Sequence, residues 1–537
     1  MGKEQILTRF WRQGQRFFPA ETLFFLAVWL VLMAAGRDRL FQDPGTFWHL
    51  AWGEQMLQTG QVPRVERFSF TRWGQPVVAD QWLAELLMAL VHRLADWEGL
   101  LLLTSTALAG LYGWMGGRLV RAGITPLWSA GILAVVFLAS AHNFHVRPLT
   151  ATLVFQAVWF AGLLAVDAGR TPIRRLWWFV PLSVLWSNLH GGVLAGLGTL
   201  GLCAAFWLIL GPLAHQSPIR SVGQGGQVVF LVGVCGLAIL INPYGMELPR
   251  TWYATLSMDL GRWIQEHRPW RPAEPAGWAA IMLFLGYVAV LVPRLRRKEF
   301  RAAWTMPIIW FLLGMQRVRN LPLFAEVTTL TLAELFFTRR EVPANGSSAS
   351  VLRNQVSCSG GQDRSLGAQR LETAGPPSLS GHGWQKYMIP ILLVGTAIVL
   401  QIVGYQTPLL GSHWVRFSPD RWPVGLWEEL RAASCQVPEG EAIFNDLDFG
   451  GWLIYFTPRW RIFIDDRCAL YGRAFLEAYE QSRRGNPAQL DQWQREYGFR
   501  WALVRRQSVW DRYLASQSRW ECVGRDEAAA FYQLRGH

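Results

Sequence analysis

Charge is scarce in this chain. Asp, Glu, Lys and Arg together make up 17% of 537 residues, where an ordinary soluble domain carries about 25%. That shortage, with 51% hydrophobic residues, excludes the disordered class, which needs high charge and few apolar side chains. Cysteine is scarcer still, at six, so a disulfide scaffold is excluded, and no pair has zinc-ligand spacing. There is no collagen-like period, no internal repeat, no P-loop, no dinucleotide fingerprint and no defensible Ser/His/Asp constellation. The formal net charge of +13 would suit nucleic acid, but no basic run is set in a soluble fold that could present it to a groove. No nucleic acid is expected.

What the chain has in excess is apolar and aromatic surface: 30 Trp, 30 Phe and a mean hydropathy of +0.16. Trp is normally roughly 1% of residues, and its half-polar ring collects at membrane interfaces. A polytopic membrane protein in contact with the lipid bilayer follows. Eleven apolar stretches are candidate spans: 17–36, 98–117, 126–141, 149–166, 176–189, 193–211, 227–241, 276–292, 303–315, 321–337 and 387–405. Two of them, 176–189 and 303–315, are short for a crossing of about 20 residues and read as broken or tilted helices.

Basic residues orient the chain. Lys3, Arg9, Arg12 and Arg16 precede the first span, and alternate loops hold Arg118 and Arg121, then Arg170, Arg174 and Arg175, then Arg294, Arg296, Arg297, Lys298 and Arg301. Cytoplasmic loops carry such an excess, which puts the N-terminus inside and, with an odd number of spans, the C-terminus outside. The alternative reading of the first apolar run is a signal peptide cleaved near Ala34 and Ala35. The location expected is a bacterial inner membrane. Nearly all unusual polar sequence then falls on the outer face: the loop 41–97, the segments 142–148 and 186–192, the turn 242–245, the stretch 250–274 and the segment 316–320.

Residues 338–385, rich in Ser, Gly, Gln and Pro, read as a disordered cytoplasmic linker. After the last span (386–405), residues 412–537 change to mixed charged and apolar sequence with short strands, such as Glu441–Asn445, 461–464 and Trp501–Arg505. This reads as a compact extracytoplasmic α/β domain of ordinary size. The fold class expected is therefore an all-α polytopic membrane module followed by that domain. Cys203 and Cys235 fall in spans as small apolar fillers. Among Cys435, Cys468 and Cys522 an oxidising compartment allows one disulfide with one thiol left over.

In the first outer loop, Gln42-Asp43-Pro44-Gly45-Thr46-Phe47-Trp48-His49-Leu50 sets a carboxylate and an imidazole beside the outer leaflet, where a charge needs a reason. Residues 46–58 and 80–94 read as two amphipathic interfacial helices around a Pro/Gly turn region, and 62–71 as an extended connector. Asp43 ahead of Pro44-Gly45 equally fits a turn or an N-cap, and His49 fits a plain interfacial histidine.

These residues, with Arg147-Pro148, Trp186-Ser187-Asn188-Leu189-His190-Gly191-Gly192, Asn242-Pro243-Tyr244-Gly245 and Ile464-Asp465-Asp466-Arg467, resemble a group of uncharacterised bacterial membrane proteins. One span, an acidic outer loop with two interfacial helices, further spans and an outer domain resemble the GT-C superfamily of integral-membrane glycosyltransferases. The resemblance implies a GT-C-like module over 1–337 and transfer of a sugar from a polyprenyl-phosphate donor to an acceptor of unnamed class on the outer face. Asp43 matches the superfamily's catalytic position, as the base that takes the acceptor's proton. Such enzymes often carry a second acidic residue beside the first, whereas Gly45 stands here. No residue is assigned to a metal, and participation of a divalent cation is left open.

Substrate-binding candidates are His49, His145, Arg147, Asn188, His190, Glu266, Arg317, Arg319, Asp465 and Arg467. Arg147 could fork onto a lipid phosphate or snorkel toward headgroups. His190, in a glycine turn, could donate to phosphate or shuttle a proton. Arg317 and Arg319 oppose the positive-inside trend, which suits a carrier phosphate or a solvated loop. The acidic cluster at the strand ends, Asp446 and Asp448 with Asp465 and Asp466, fits a site for a cation or an acceptor sugar, or equally structural caps and an internal Asp466–Arg467 network. Two rivals to the enzyme are a non-catalytic protein that binds polyprenyl lipid or partner proteins in envelope assembly, and a transporter. The second should carry charges near the midplane, and the spans show almost none.

Overall fold

The computed structural model describes residues 19–210, 217–341, 385–404 and 413–535. The basic leader and residues 342–384 of the expected linker lie outside the described residues. The first part of the chain is helical: α1 (Ala20–Ala34), α2 (Gly45–Thr59), α3 (Trp82–Arg121), α4 (Pro126–Ser140), α5 (Leu149–Asp167), α6 (Phe179–Leu189), α7 (Val193–Leu210), α8 (Val222–Ala238), α9 (Glu247–Ser257), α10 (Pro275–Arg296), α11 (Met306–Gln316), α12 (Leu321–Glu341) and α13 (Gln385–Ile402). Among the described residues each apolar stretch read as a span contains an α-helix, but only three helical stretches are long and apolar enough to cross a membrane: Pro126–Asn143, Leu149–Asp167 and Pro275–Arg296. Five more apolar helices are shorter. α6 has only eleven residues, and α12 contains Glu326, Glu334, Arg339, Arg340 and Glu341.

α12 is the hub of the bundle. It packs against α3, α4, α5, α10 and α11, and residues 321–335 are all buried. Thr328, Thr329 and Thr331 can sit in that interior because each hydroxyl donates to the carbonyl four residues back, at 2.7, 2.7 and 2.8 Å. Glu326 and Glu334 are buried there too, so this span does hold two carboxyls that the sequence reading discounted. At the end with the basic loops, Arg170 and Arg301 reach Glu334 at 2.6 and 3.6 Å.

The C-terminal region is a five-stranded sheet of β1 (Glu441–Asn445), β2 (Trp460–Ile462), β3 (Trp501–Arg505), β4 (Trp520–Arg525) and β5 (Ala529–Leu534), in the order β2-β1-β3-β5-β4. β2, β1 and β3 are parallel, whereas β5 runs antiparallel to β3 and β4. Cys435, Cys468 and Cys522 are all free thiols, so the disulfide their number allows is not formed.

Two features seat this sheet on the bundle. The first-loop segment around Ser69 continues the sheet beyond edge strand β2: Ile462 N–H donates to Phe68 O at 2.9 Å and Phe70 N–H to Ile462 O at 3.1 Å. The extended connector is thus a sheet edge, covered as edges must be. The short helix Gly450–Phe456 then presses its start onto the loop before α2, so closely that a Cβ on Gly451 would lie 2.1 Å from Pro44 O.

α2 departs from the interfacial helix its sequence suggests. It packs against both α3 and the helix Gly450–Phe456, and Phe47, Trp48, His49, Leu50 and Trp52 are all buried. Its polar side can be covered because His49 finds Glu85 of α3 at 2.9 Å. The second expected helix does not stop at residue 94. It runs into the following span through a break at Ala95 and Asp96, where Asp96 has φ 50°.

Candidate active site between the bundle and the sheet

The loops read as outer gather at one end of the bundle, under the sheet. Thr46 Oγ1 donates to Val146 O at 2.9 Å, His142 and Asn143 bond to Val318 O and Arg319 O, and Val318 N–H donates to Arg268 O. These ties set Asp43, Arg147, Glu266 and Arg319 around one point, although they are far apart in sequence.

Asp43 does act as a local cap: Oδ1 accepts the Gly45 N–H at 2.7 Å. Its other oxygen accepts Arg147 Nη1 at 2.7 Å, and the same nitrogen reaches Glu266 Oε2 at 3.1 Å. The turn reading and the ionic reading of Asp43 are therefore both satisfied by one side chain. Asp43, Arg147 and Glu266 retain 12, 14 and 16% side-chain exposure, so the cluster borders accessible space. Burial works against the charged form of Arg147, but Asp43, Glu266 and Asp466 outweigh it and hold the guanidinium firmly protonated. Burial likewise pushes Glu266 up, and Arg147 and Arg319 overcome it and hold the carboxyl well below the usual range.

Arg319 Nη1 lies 3.9 Å from Glu266 and donates to His267 Nε2. His267 stays neutral, its pKa pushed down to about 3 by burial and then by Arg319. Two guanidiniums thus flank one carboxylate. His190 lies within electrostatic reach of Arg319, Arg147 and Glu266: Gly192 N–H donates to its Nδ1 at 2.8 Å, and Thr152 Oγ1 sits at 2.8 Å from the same atom. With Nδ1 an acceptor, the ring proton is on Nε2. Burial, Arg319 and Arg147 push the His190 pKa down to about 3, so it is a neutral donor at physiological pH.

A second carboxyl, Asp466, faces Asp43, and the internal Asp466–Arg467 network expected at this strand end is not formed, because Arg467 turns to Asp465 and Glu66. A Cβ on Gly45 would stand 2.7 Å from Asp43 Oδ1 and 3.3 Å from Asp466 Oδ2, so the two carboxyls flank a single point. Trp48 Nε1 donates to Asp466 Oδ1 at 2.7 Å. Burial, then Asp43, then Asp465 push the Asp466 pKa up to about 8. Its neighbours turn the other way. Arg467 donates to Asp465 Oδ2 at 2.6 Å and to Glu66 Oε2 at 2.6 Å, and both carboxylates are fully buried. β2 ends at Ile462 and the chain bends at Asp466; Arg467 turns back so that its N–H and guanidinium both donate to Asp465, while Asp466 points at Asp43. Asp465 and Arg467 form a buried network, with Tyr471 Oη at 3.2 Å from Asp465, rather than an open cleft.

The remaining candidates stand apart. His49 is fully buried; burial drives His49 down and Glu85 up, so their contact is a neutral hydrogen bond rather than an ion pair. His145 points its ring nitrogens at the carbonyls of Arg39 and His142, at 3.3 and 3.2 Å. Arg317 donates to Leu256 O at 3.0 Å. Asn188 pins helices together, accepting from Trp82 Nε1 at 2.7 Å and donating to Val184 O and Ile241 O. It borders an open apolar groove of about 650 Å³ between Trp82, Pro181, Leu185, Ile241 and Pro243. Among the described residues no group of three or more His, Cys, Asp or Glu is placed to hold a metal ion.

No family model matches the chain, and no curated protein does. Among solved structures it is similar to ArnT from Cupriavidus metallidurans in the apo state, at 14% identity and a TM-score of 0.48 over 95% of this chain and 97% of that one. The same protein bound to undecaprenyl phosphate gives 15% identity and a TM-score of 0.42 over the same shares.

Proposed function

We propose that this protein is a membrane glycosyltransferase that moves a sugar from a polyprenyl-phosphate donor to an acceptor on the extracytoplasmic face of a bacterial inner membrane. The apolar helices within 1–337 form its GT-C-like membrane module, with the N-terminus inside and the sheet domain outside. The observation that carries this reading is the convergence of Asp43, Arg147, Glu266, Arg319 and His190, drawn from five separate loops, on one partly open point at the end of the bundle. A scaffold that only gripped lipid would have no use for a carboxylate beside the cations.

Each part has a task in such a transfer. The guanidiniums of Arg147 and Arg319 and the neutral Nε2–H of His190 receive the phosphate and offset the charge it gains as the sugar leaves. The Asp43 carboxylate, held by Arg147 and the Gly45 N–H, takes the acceptor's proton as its oxygen or nitrogen bonds to the anomeric carbon. Glu266 occupies the position between the arginines and gives way to, or shares them with, the arriving phosphate.

The test is release of polyprenyl phosphate from a panel of lipid-linked sugars by the protein in proteoliposomes, comparing wild type with Asp43→Asn. Loss of a positioned base costs about 10²–10⁴-fold, and a loss of that size with folding intact is expected. Equal turnover in both would remove Asp43 from the chemistry. Tight lipid binding without turnover of any donor would make the protein a scaffold.

A further inference from the structure

Asp466 is brought to the site by the sheet domain rather than by the bundle. The Arg467 fork onto Glu66 ties the loop after β2 to the first outer loop, and Gly450 and Gly451 remove the side chains that would hold that loop away: a Cβ on Gly450 would meet Ile464 O at 2.3 Å. The carboxyl so delivered has like charges on two sides, Asp43 across the seam and Asp465 in its own loop. Arg467 is turned to Asp465 and Glu66, Arg147 to Asp43 and Glu266, and Cys468 is buried beyond. Trp48 Nε1 holds Oδ1, and no hydrogen bond engages Oδ2 among the described residues. Glu66 and His49 lie behind, in contact with Arg467 and Glu85 respectively.

We propose that Asp466 is a second catalytic carboxyl, which enters the reaction protonated and donates from Oδ2 to a phosphate oxygen of the lipid-linked donor. This rests on the glycosyl-transfer reading and names the group that completes its donor side. The acceptor's oxygen bonds to the anomeric carbon and its proton passes to Asp43. The bond from that carbon to the phosphate oxygen breaks, and its electron pair stays on the phosphate. Asp466 keeps its proton throughout, lending it to the oxygen that gains charge; the proton on Asp43 then leaves to water. A neutral carboxyl can stand beside a phosphate where a carboxylate would repel it, and burial with like charges is the arrangement that keeps a carboxylic acid neutral. With the pKa pushed up to about 8, the donor should be bound well at neutral pH and poorly above it.

Asparagine is the discriminating substitution, because its amide is neutral and donates at every pH. In wild type, KM for the donor is expected to rise about tenfold per pH unit above pH 8 while kcat changes less; Asp466→Asn should lower turnover no more than about tenfold at pH 6.5 and abolish the alkaline rise. Asp466→Ala should lose the donor-binding contribution at all pH values. Two results would overturn the proposal. An Asn variant with wild-type melting and no turnover would make Asp466 a proton acceptor, and one with the wild-type pH profile would place it outside the reaction. A measurement independent of turnover separates this from failure of the transferase reading: infrared difference spectra of the full-length protein titrated with undecaprenyl phosphate at pH 6.5. A protonated-carboxyl C=O band that shifts on binding and is missing in Asp466→Asn is expected; its absence in wild type would refute a neutral Asp466 whatever the enzyme does.

Discussion

Gly451→Ala is the sharpest perturbation of the seam. The added Cβ would lie 2.1 Å from Pro44 O and 3.4 Å from Trp48 Cδ1. Real Cβ contacts below 3.0 Å are essentially absent, and the obstacle is backbone, so the helix Gly450–Phe456 and the Pro44 loop must separate by about 1 Å. Overpacking of this kind costs about 1–3 kcal/mol, and alanine returns about 0.5–1 kcal/mol as the better helix former, leaving a net loss of roughly 1–2 kcal/mol. Function should suffer more than stability, because Pro44 is bonded to Asp43 and Trp48 holds Asp466. A misplacement of about 1 Å at a reacting group can cost about 10²-fold in rate. The assay is polyprenyl phosphate release in proteoliposomes with melting in the same membranes, beside Gly286→Ala, a helix glycine with nothing within 4 Å of its Cβ position, which should match wild type in turnover and melt no lower than it. Gly451→Ala with wild-type turnover and melting would show that the close approach of sheet and bundle is not part of the site.

Arg467→Met keeps the length but leaves Glu66 and Asp465 buried without their cation; breaking such a pair costs about 3–5 kcal/mol, and the expected outcome is protease cleavage within 413–535 before the bundle unfolds. Stability against pH provides another check. The folded-state pKa of Asp466 is raised above its unfolded value, so the native state binds its proton more tightly, and the stability this contributes is lost as pH rises toward about 8. His190 and His267, lowered to about 3, act in the opposite sense but only below about pH 6.5, their unfolded value. Melting temperature should therefore fall between pH 6.5 and 8 in wild type and fall less steeply there in Asp466→Asn, where the raised Glu85 still contributes. Arg147→Lys keeps the charge but replaces the guanidinium, whose Nη1 alone holds both Asp43 and Glu266, and so loses the further N–H groups that would take the phosphate; donor KM should rise about tenfold or more, read from the same release assay.

Helices at the apolar stretches followed directly from composition, because a run of aliphatic and aromatic residues with few charges has few other ways to bury itself. α2 was legible as a helix from Gly45-Thr46-Phe47-Trp48, and its environment was not: the His49–Glu85 contact that lets its polar side be covered joins residues in two different helices. The strands β1 and β3 could be read from short apolar runs, whereas the order β2-β1-β3-β5-β4 depends on pairings between distant segments.

Asp43, Arg147, Glu266, Arg319 and His190 could each be singled out as polar residues in apolar surroundings at one face. Their residue types and their place in the chain were determined by the sequence alone, as were the scarcity of charge and the glycines at 450 and 451. Which carboxyl meets which guanidinium was decided only in three dimensions. Asp466 and Arg467 are adjacent, yet one turns to Asp43 and the other to Glu66, because the chain bends after β2 ends at Ile462 and the docking of Ser69 beside β2 fixes where that bend meets the bundle. Sequence carries the residues; only the packed structure supplies the bend and the surface against which they are read.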